Sequence, residues 1–433
     1  MSRLDKTISK YLSTYAEPEF QELSILKIPV FESVLVLPIF DEPIENLSRF
    51  LALHPSKKVV MVWVFNCHDN AEPSTKQATQ RVMHHFIKTL EAKALNINHE
   101  YGAYFVQVHE HLSVYMLDHC SDGKAIPAKQ GVGLARKLGM DFGLNLISQQ
   151  FERDGELVNW LHSSDVDVVL PAGYFDVLAP NDAIAAIIYP FEHHAEQGYE
   201  LSMALYDLSL RYYVDQLKWA GSPYAFHTIG SLIAVTPLAY AQVRGLPKKS
   251  GAEDFYLLNK LAKVGEVLSL DEPKVSITGR PSHRVPFGTG PALVKLQEMD
   301  DPLVNYTFYH PKIFYALKHL LAIVSDAEHC IASAEVLFSL LHDRMSEAMA
   351  EHVISTLRVL KVEKQFEHLS QKKSLVQFVQ GFHTWFDAFV TLRFIHLMRD
   401  KAYPSVNLAT LRQNLNHNGV TFEYYSGSSS LGV

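Results

Sequence analysis

The sequence predicts an α/β layer with a mainly parallel central sheet, followed by an α-helical C-terminal domain. Three observations carry the prediction. The apolar runs 33–40 (SVLVLPIF) and 58–65 (KVVMVWVF) have the length of strands buried on both faces. Longer stretches with helical spacing of apolar positions lie between such runs, and strands alternating with helices build parallel sheets. Beyond about residue 302, few glycines or prolines interrupt long amphipathic segments.

The elements follow in order. The first strand is closed by Pro38 and the loop Asp41-Glu42-Pro43, and a helix is expected over 44–53. The second ends at Asn66-Cys67-His68-Asp69-Asn70. Val82, Phe86, Ile87 and Leu90 recur at helical spacing, which predicts a helix over 74–95. A strand near 113–117, the loop Asp122-Gly123-Lys124, a helix over 131–151 and a strand carrying Asp165-Val166-Asp167 come next. Residues 311–400 read as helices with a polar break at 365–373. The expected division is 1–300 for the α/β domain, 301–425 for the helical domain and 426–433 for a disordered Gly/Ser tail.

Composition narrows the function classes. A chain of 433 residues has material for two or three domains. With 48% hydrophobic and 20% charged residues it is a globular chain, not a disordered one. A net charge of −8 argues against a sequence-independent nucleic-acid binder. The three cysteines, Cys67, Cys120 and Cys330, fall in no metal-ligand spacing and suit a reducing compartment. Residues 1–20 lack the apolar core of a signal peptide, and no run approaches the ~20 apolar residues of a membrane helix. The expectation is a cytoplasmic protein without a transmembrane segment, with peripheral membrane contact still open to it.

On an extended strand, residues i and i+2 share a face, so Asp165 and Asp167 would present their oxygens together. Mg²⁺ and Mn²⁺ take one or two carboxylates plus substrate phosphates. In open α/β sheets ligands bind beyond the carboxyl ends of the strands, and Asp41, Asn66, Asp69, Asp165 and Asp167 all follow predicted strand ends. A lone Asp-x-Asp is more often an Asx turn. Here it stands third in a series of four blocks. The first is Pro38-Ile39-Phe40-Asp41-Glu42-Pro43, and the second is Gly131-Val132-Gly133-Leu134-Ala135-Arg136-Lys137. The fourth runs from Ile229-Gly230-Ser231 through Gly251-Ala252-Glu253-Asp254 to Arg280-Pro281-Ser282-His283-Arg284.

In these blocks the chain resembles the GT-A glycosyltransferases, whose fold is Rossmann-like, and most closely the family 2-like nucleotide-sugar transferases, over residues 33–290. It departs in reading Phe40-Asp41-Glu42 where the family shows an Asn-Glu pair, and in lacking an Asp-Gly-Ser run after the second strand. The resemblance implies that Asp165 and Asp167 hold Mn²⁺ or Mg²⁺ on the donor diphosphate, with His283 as a further ligand. The cation would neutralise charge on the leaving group. The resemblance gives Asp254 the role of general base on the acceptor hydroxyl, with Glu253 as its alternative or structural partner. It also implies donor contacts from Pro38, Asp41, Glu42, Asn66, Asp69, Lys129, Arg136 and Asp165. Arg280 and Arg284 would serve the diphosphate through forked, charge-assisted bonds. Lys137 reads as exposed. The plainer reading of Glu253-Asp254 is two acids favouring a helix N-terminus.

The implied activity is transfer of a sugar from a UDP- or GDP-linked donor to a hydroxyl acceptor, by single displacement with inversion, with a retaining reaction left open because GT-A folds host both outcomes. A nucleotidyltransferase is a second reading, weakened by the absence of a Gly-rich, Lys/Arg-ended loop after the first strand. A third is a catalytically inactive scaffold, weakened by the intact acidic pairs. The helical domain offers a surface for a partner, a membrane surface, the acceptor or homo-oligomer contacts, and nothing in its residues selects among these.

Overall fold

Strands whose residues are apolar on both faces can be covered only by helices on either side, and that requirement shapes the first half of the molecule. The structure, a computed structural model, describes residues 3–21, 23, 25, 28–95, 102–155, 158–282, 288–326 and 330–417. The chain forms two compact units. One comprises residues up to His194 together with Thr228–Thr278; the other takes Ala195–His227, Gly279–Ser282 and residues from Thr289 onward.

The first unit opens with α1 (Arg3–Thr14), β1 (Ser33–Ile39), α2 (Ile44–Leu51), β2 (Val59–Asn66) and α3 (Pro73–Thr89). Next are β3 (Lys93–Leu95), β4 (Gly102–His109), β5 (Leu112–His119), α4 (Gly131–Asp154) and β6 (Trp160–Ser163). Then follow β7 (Val168–Val169), β8 (Ile184–Ile188) and β9 (Phe191–Ala195), before α5 (Glu200–Trp219) enters the second unit. The chain returns with β10 (Ile233–Val235), α6 (Pro237–Gln242), α7 (Glu253–Leu261), β11 (Glu266–Ser269) and β12 (Val275–Gly279).

Among the described residues nine strands form the main sheet, in the order β11-β8-β10-β6-β1-β2-β5-β4-β3. Only β10 and β4 run antiparallel to both neighbours, so the other seven point one way. Every residue of β2 and β5 is buried, as expected for central strands. A short second sheet has the order β7-β12-β9.

Pro38 explains how the sheet opens. Proline cannot donate to a ladder and is confined to places with an unpaired side. β6 pairs with β1 only over Ser33–Val36, whereas β2 pairs with it as far as Ile39. Beyond Val36 one edge of β1 is therefore free of a strand, and Pro38 sits there. Above it α4 lies close to the sheet because Gly139 has no side chain: a Cβ would fall 2.3 Å from Val36 Cγ1.

Several sequence expectations need correction. The helix expected over 74–95 ends at Thr89; Glu91 then adopts a left-handed backbone (φ 51°) and Lys93–Leu95 become an edge strand. β4 was not anticipated, because its half-buried residues show neither a continuous apolar run nor strict alternation. The helix over 44–53 stops at Leu51, and that over 131–151 continues to Asp154, where left-handed Gly155 (φ 74°) caps it. β6 stops at Ser163, so Asp165 and Asp167 occupy a turn, and the strand argument for a shared face does not apply. Lys137 is buried. Its Nζ donates to Asp141 Oδ2 at 2.7 Å, the Tyr11 hydroxyl at 2.8 Å and the Tyr15 carbonyl at 3.0 Å. Tyr11 and Tyr240 both donate to Asp141 Oδ1, tying α1 to α4 and α6.

The second unit is helical. With α5 it contains α8 (Thr289–Gln297), α9 (Pro302–Asn305), α10 (Pro311–Ser325), α11 (Ala334–Arg344) and α12 (Glu347–Val359). It continues through α13 (Val362–Leu369), α14 (Leu375–Trp385), α15 (Ala388–Lys401) and α16 (Leu408–His417). α13 covers part of the polar break expected at 365–373. Leu317, Leu320, Val353, Leu357, Phe382, Phe394 and Met398 share its core. Ser333, Ser374 and Asp387 cap α11, α14 and α15 by accepting the backbone N–H three residues on. No helix among the described residues is long and apolar enough to cross a membrane. The tail 426–433 lies outside the described residues.

Candidate functional site

Beyond the carboxyl end of β6 the first unit gathers charged side chains around one guanidinium. α4 carries Arg136 in its second turn, buried against the sheet. Its Nε donates to Glu253 Oε1 at 3.0 Å. Its Nη1 faces Ser163 Oγ at 2.8 Å, the Gly230 carbonyl at 3.2 Å and the Ser164 carbonyl at 3.3 Å. Its Nη2 donates to Asp165 Oδ1 at 2.7 Å. Burial opposes the charge on this arginine, and the carboxylates of Asp165 and Glu253 beside it more than compensate.

Each partner is placed by its own segment. Ser163 ends β6, and Ser164 continues the line through its N–H to the Val36 carbonyl, 3.0 Å, and its hydroxyl to the Ser231 carbonyl, 3.0 Å. Those anchors fix the start of the turn that presents Asp165, whose side chain is 37% exposed while that of Arg136 is 6% exposed. Gly230 has room for no side chain, since a Cβ would lie 2.8 Å from Arg136 Nη2. Glu253 and Asp254 open α7 directly after Ala252, a non-glycine residue with left-handed backbone (φ 59°). Such conformations cost energy and cluster where a chain must place functional groups.

The two acids of α7 are in different states. Glu253 is buried and bound to Arg136. Asp254 is half-buried, and its Oδ1 accepts the Phe255 N–H at 2.7 Å. Burial, reinforced by the adjacent Glu253 charge, pushes the Asp254 carboxyl up to about 7. A carboxyl tuned to that range can take a proton at neutral pH.

The remaining sequence candidates divide by setting. Asn66 is buried, and its amide nitrogen bonds the Ile39 and Val64 carbonyls, both at 3.1 Å. Glu42 is buried and accepts from Asn46 Nδ2 at 2.9 Å. Asp41 and Lys129 are exposed and Pro38 is partly so. Asp69 is exposed, with Oδ1 accepting the Ala128 N–H at 3.1 Å. Arg280 belongs to the second unit. His283 and Arg284 lie outside the described residues. Gly131 and Gly133, which open α4, pack against the backbone at Lys249 and Ser250. Ser163, Ser164 and Gly230 had no role in the sequence reading, although Gly230 stood inside a recognised block.

Among the described residues no group of three or more His, Cys, Asp or Glu side chains is placed to hold a metal ion. A divalent cation takes one or two carboxylates and completes its shell with phosphate oxygens and water. Asp165 keeps one oxygen beyond that engaged by Arg136.

No family model matches the sequence, and no curated protein does. Among solved structures, the chain is similar to PcManGT, a mannosyltransferase from Pyrobaculum calidifontis solved in complex with GDP-Man and Mn²⁺. The TM-score is 0.32 with 12% identity, over 88% of this chain and 93% of that one. A likeness at that level carries no argument about fold or chemistry.

Proposed function

We propose that this chain is a glycosyltransferase that moves a sugar from a UDP- or GDP-linked donor to a hydroxyl acceptor, by single displacement with inversion. The observation that carries this reading is the acidic pair opening α7, whose Glu253 is tied through Arg136 to the partly exposed Asp165. Asp254 takes the proton from the acceptor hydroxyl. The freed oxygen attacks the anomeric carbon, and the bond from that carbon to the diphosphate oxygen breaks. Burial and the neighbouring Glu253 carboxylate keep Asp254 basic enough to act, against the opposing charge of Arg136. Asp165 and Asp167 would hold Mn²⁺ or Mg²⁺, which when bound supplies charge neutralisation on the diphosphate. Asp41, Asp69 and Lys129 are the exposed side chains we assign to the nucleotide.

Calorimetric titration of UDP and GDP, with and without Mn²⁺, followed by the matching sugar nucleotides, tests the reading. Binding of one nucleotide only when Mn²⁺ is present supports it and identifies the donor base. Folded protein that binds neither would overturn it.

A further inference from the structure

The resemblance assigns Arg136 to the nucleotide, yet all three nitrogens of its guanidinium are engaged by partners within the protein. Those contacts reach four places in the chain: the end of β6, the turn bearing Asp165, the carbonyl of Gly230 and the start of α7. A side chain 6% exposed has little surface left for a ligand. We infer that Arg136 is a positioning residue that holds the Asp165 turn and the Glu253-Asp254 helix start at a fixed separation, touching neither donor nor acceptor. Its importance for transfer rests on the reading proposed above; the link between the two acidic segments does not.

The chemistry demands arginine. A planar fork with five donors serves acceptors lying in several directions, whereas a lysine ammonium is a point charge with three. Gly230 is the complement to that fork, because a Cβ there would fall 2.8 Å from Nη2 and 2.9 Å from Cζ. Gly230→Ala therefore displaces the guanidinium without changing any ionisable group. Reacting groups misplaced by about 1 Å can cost on the order of 10²-fold in rate.

Two measurements on the full chain test the inference. In the first, Asp165→Asn and Glu253→Gln are combined in a double-mutant cycle read by denaturant unfolding, with and without Arg136→Met. The unfolding constants should depart from multiplicativity by roughly tenfold with arginine present and by nothing in its absence. Multiplicative behaviour in the arginine background overturns the inference, whatever the chain catalyses. Coupling in a chain that binds no nucleotide supports the link and counts against the proposed function alone. The second compares Arg136→Lys and Gly230→Ala in transfer kinetics. Both should lower kcat on the order of 10²-fold and leave donor KM within about threefold. Lower melting points with unchanged kcat would reduce Arg136 to a stabilising contact. A donor KM raised on the order of 10²-fold by Arg136→Lys alone would make it a ligand contact; either result overturns the inference.

Discussion

A carboxyl held near 7 gives the proposed reaction a signature in pH. As a base Asp254 must be ionised, so kcat/KM should rise about tenfold per unit below pH 7 and level off above it. Initial rates between pH 5 and 8.5 check this, and a flat profile would remove Asp254 from the role. Asp254→Asn should lower kcat by on the order of 10²–10⁴-fold while leaving Mn²⁺-dependent nucleotide titration unchanged. Arg136→Ala acts differently, stranding the buried Glu253 without its partner. Removing one member of a buried pair costs about 3–5 kcal/mol, readable as a lower denaturation midpoint. Arg136, Asp165, Glu253 and Asp254 were legible in the sequence because charged residues in ordered blocks advertise themselves. Ser163, Ser164 and Gly230 were not, since two act partly or wholly through main-chain carbonyls, which every residue has.

At the scale of elements, α4 shows what periodicity can and cannot reveal. Eighteen of its 24 residues are buried, so no polar face marks it, and its length and closing glycine are the readable signals. Gly139 gave no hint that it is the point of contact with β1. Alanine is worth about 1 kcal/mol more than glycine in a helix interior. At position 139, however, its Cβ would meet Val36 at 2.3 Å, and overpacking costs about 1–3 kcal/mol. Gly139→Ala should therefore lower the melting temperature, where a propensity argument alone predicts a rise. The central strands were legible for the opposite reason, because unbroken apolar runs leave little else to be. β4 was missed because its burial is mixed, and β3 because three residues carry no pattern.

Over the whole first unit, two groups titrate with opposite effects on stability. His162 on β6 is enclosed by Tyr174, Phe175 and Tyr189, and neither ring nitrogen has a hydrogen-bond partner. Burial drives its pKa down to about 3 from 6.5. The unfolded chain then binds the extra proton, so this group removes stability as pH falls below 6.5. Asp254, raised to about 7 from 3.8, has the opposite sign: its contribution is complete below 3.8 and is lost as pH rises through 7. Each slope approaches ~1.4 kcal/mol per pH unit, so in the native chain they largely offset between pH 4 and 6.5. Denaturant midpoints measured across that window separate them. His162→Leu should become less stable as pH rises, and Asp254→Asn less stable as pH falls. Parallel curves for both variants would contradict the account. The α/β class of this unit was legible from sequence, whereas the balance was not, because it depends on burial that only the assembled sheet creates.

The knot of Tyr11, Lys137, Asp141 and Tyr240 has a further consequence, in the order of folding. Tyr11 meets Asp141 across 130 residues of chain, and Tyr240 reaches the same carboxylate from 99 residues on the other side. Contacts so distant in sequence close late, so the ties of α1 to α4 belong to the last stages of folding of this unit rather than to its nucleation.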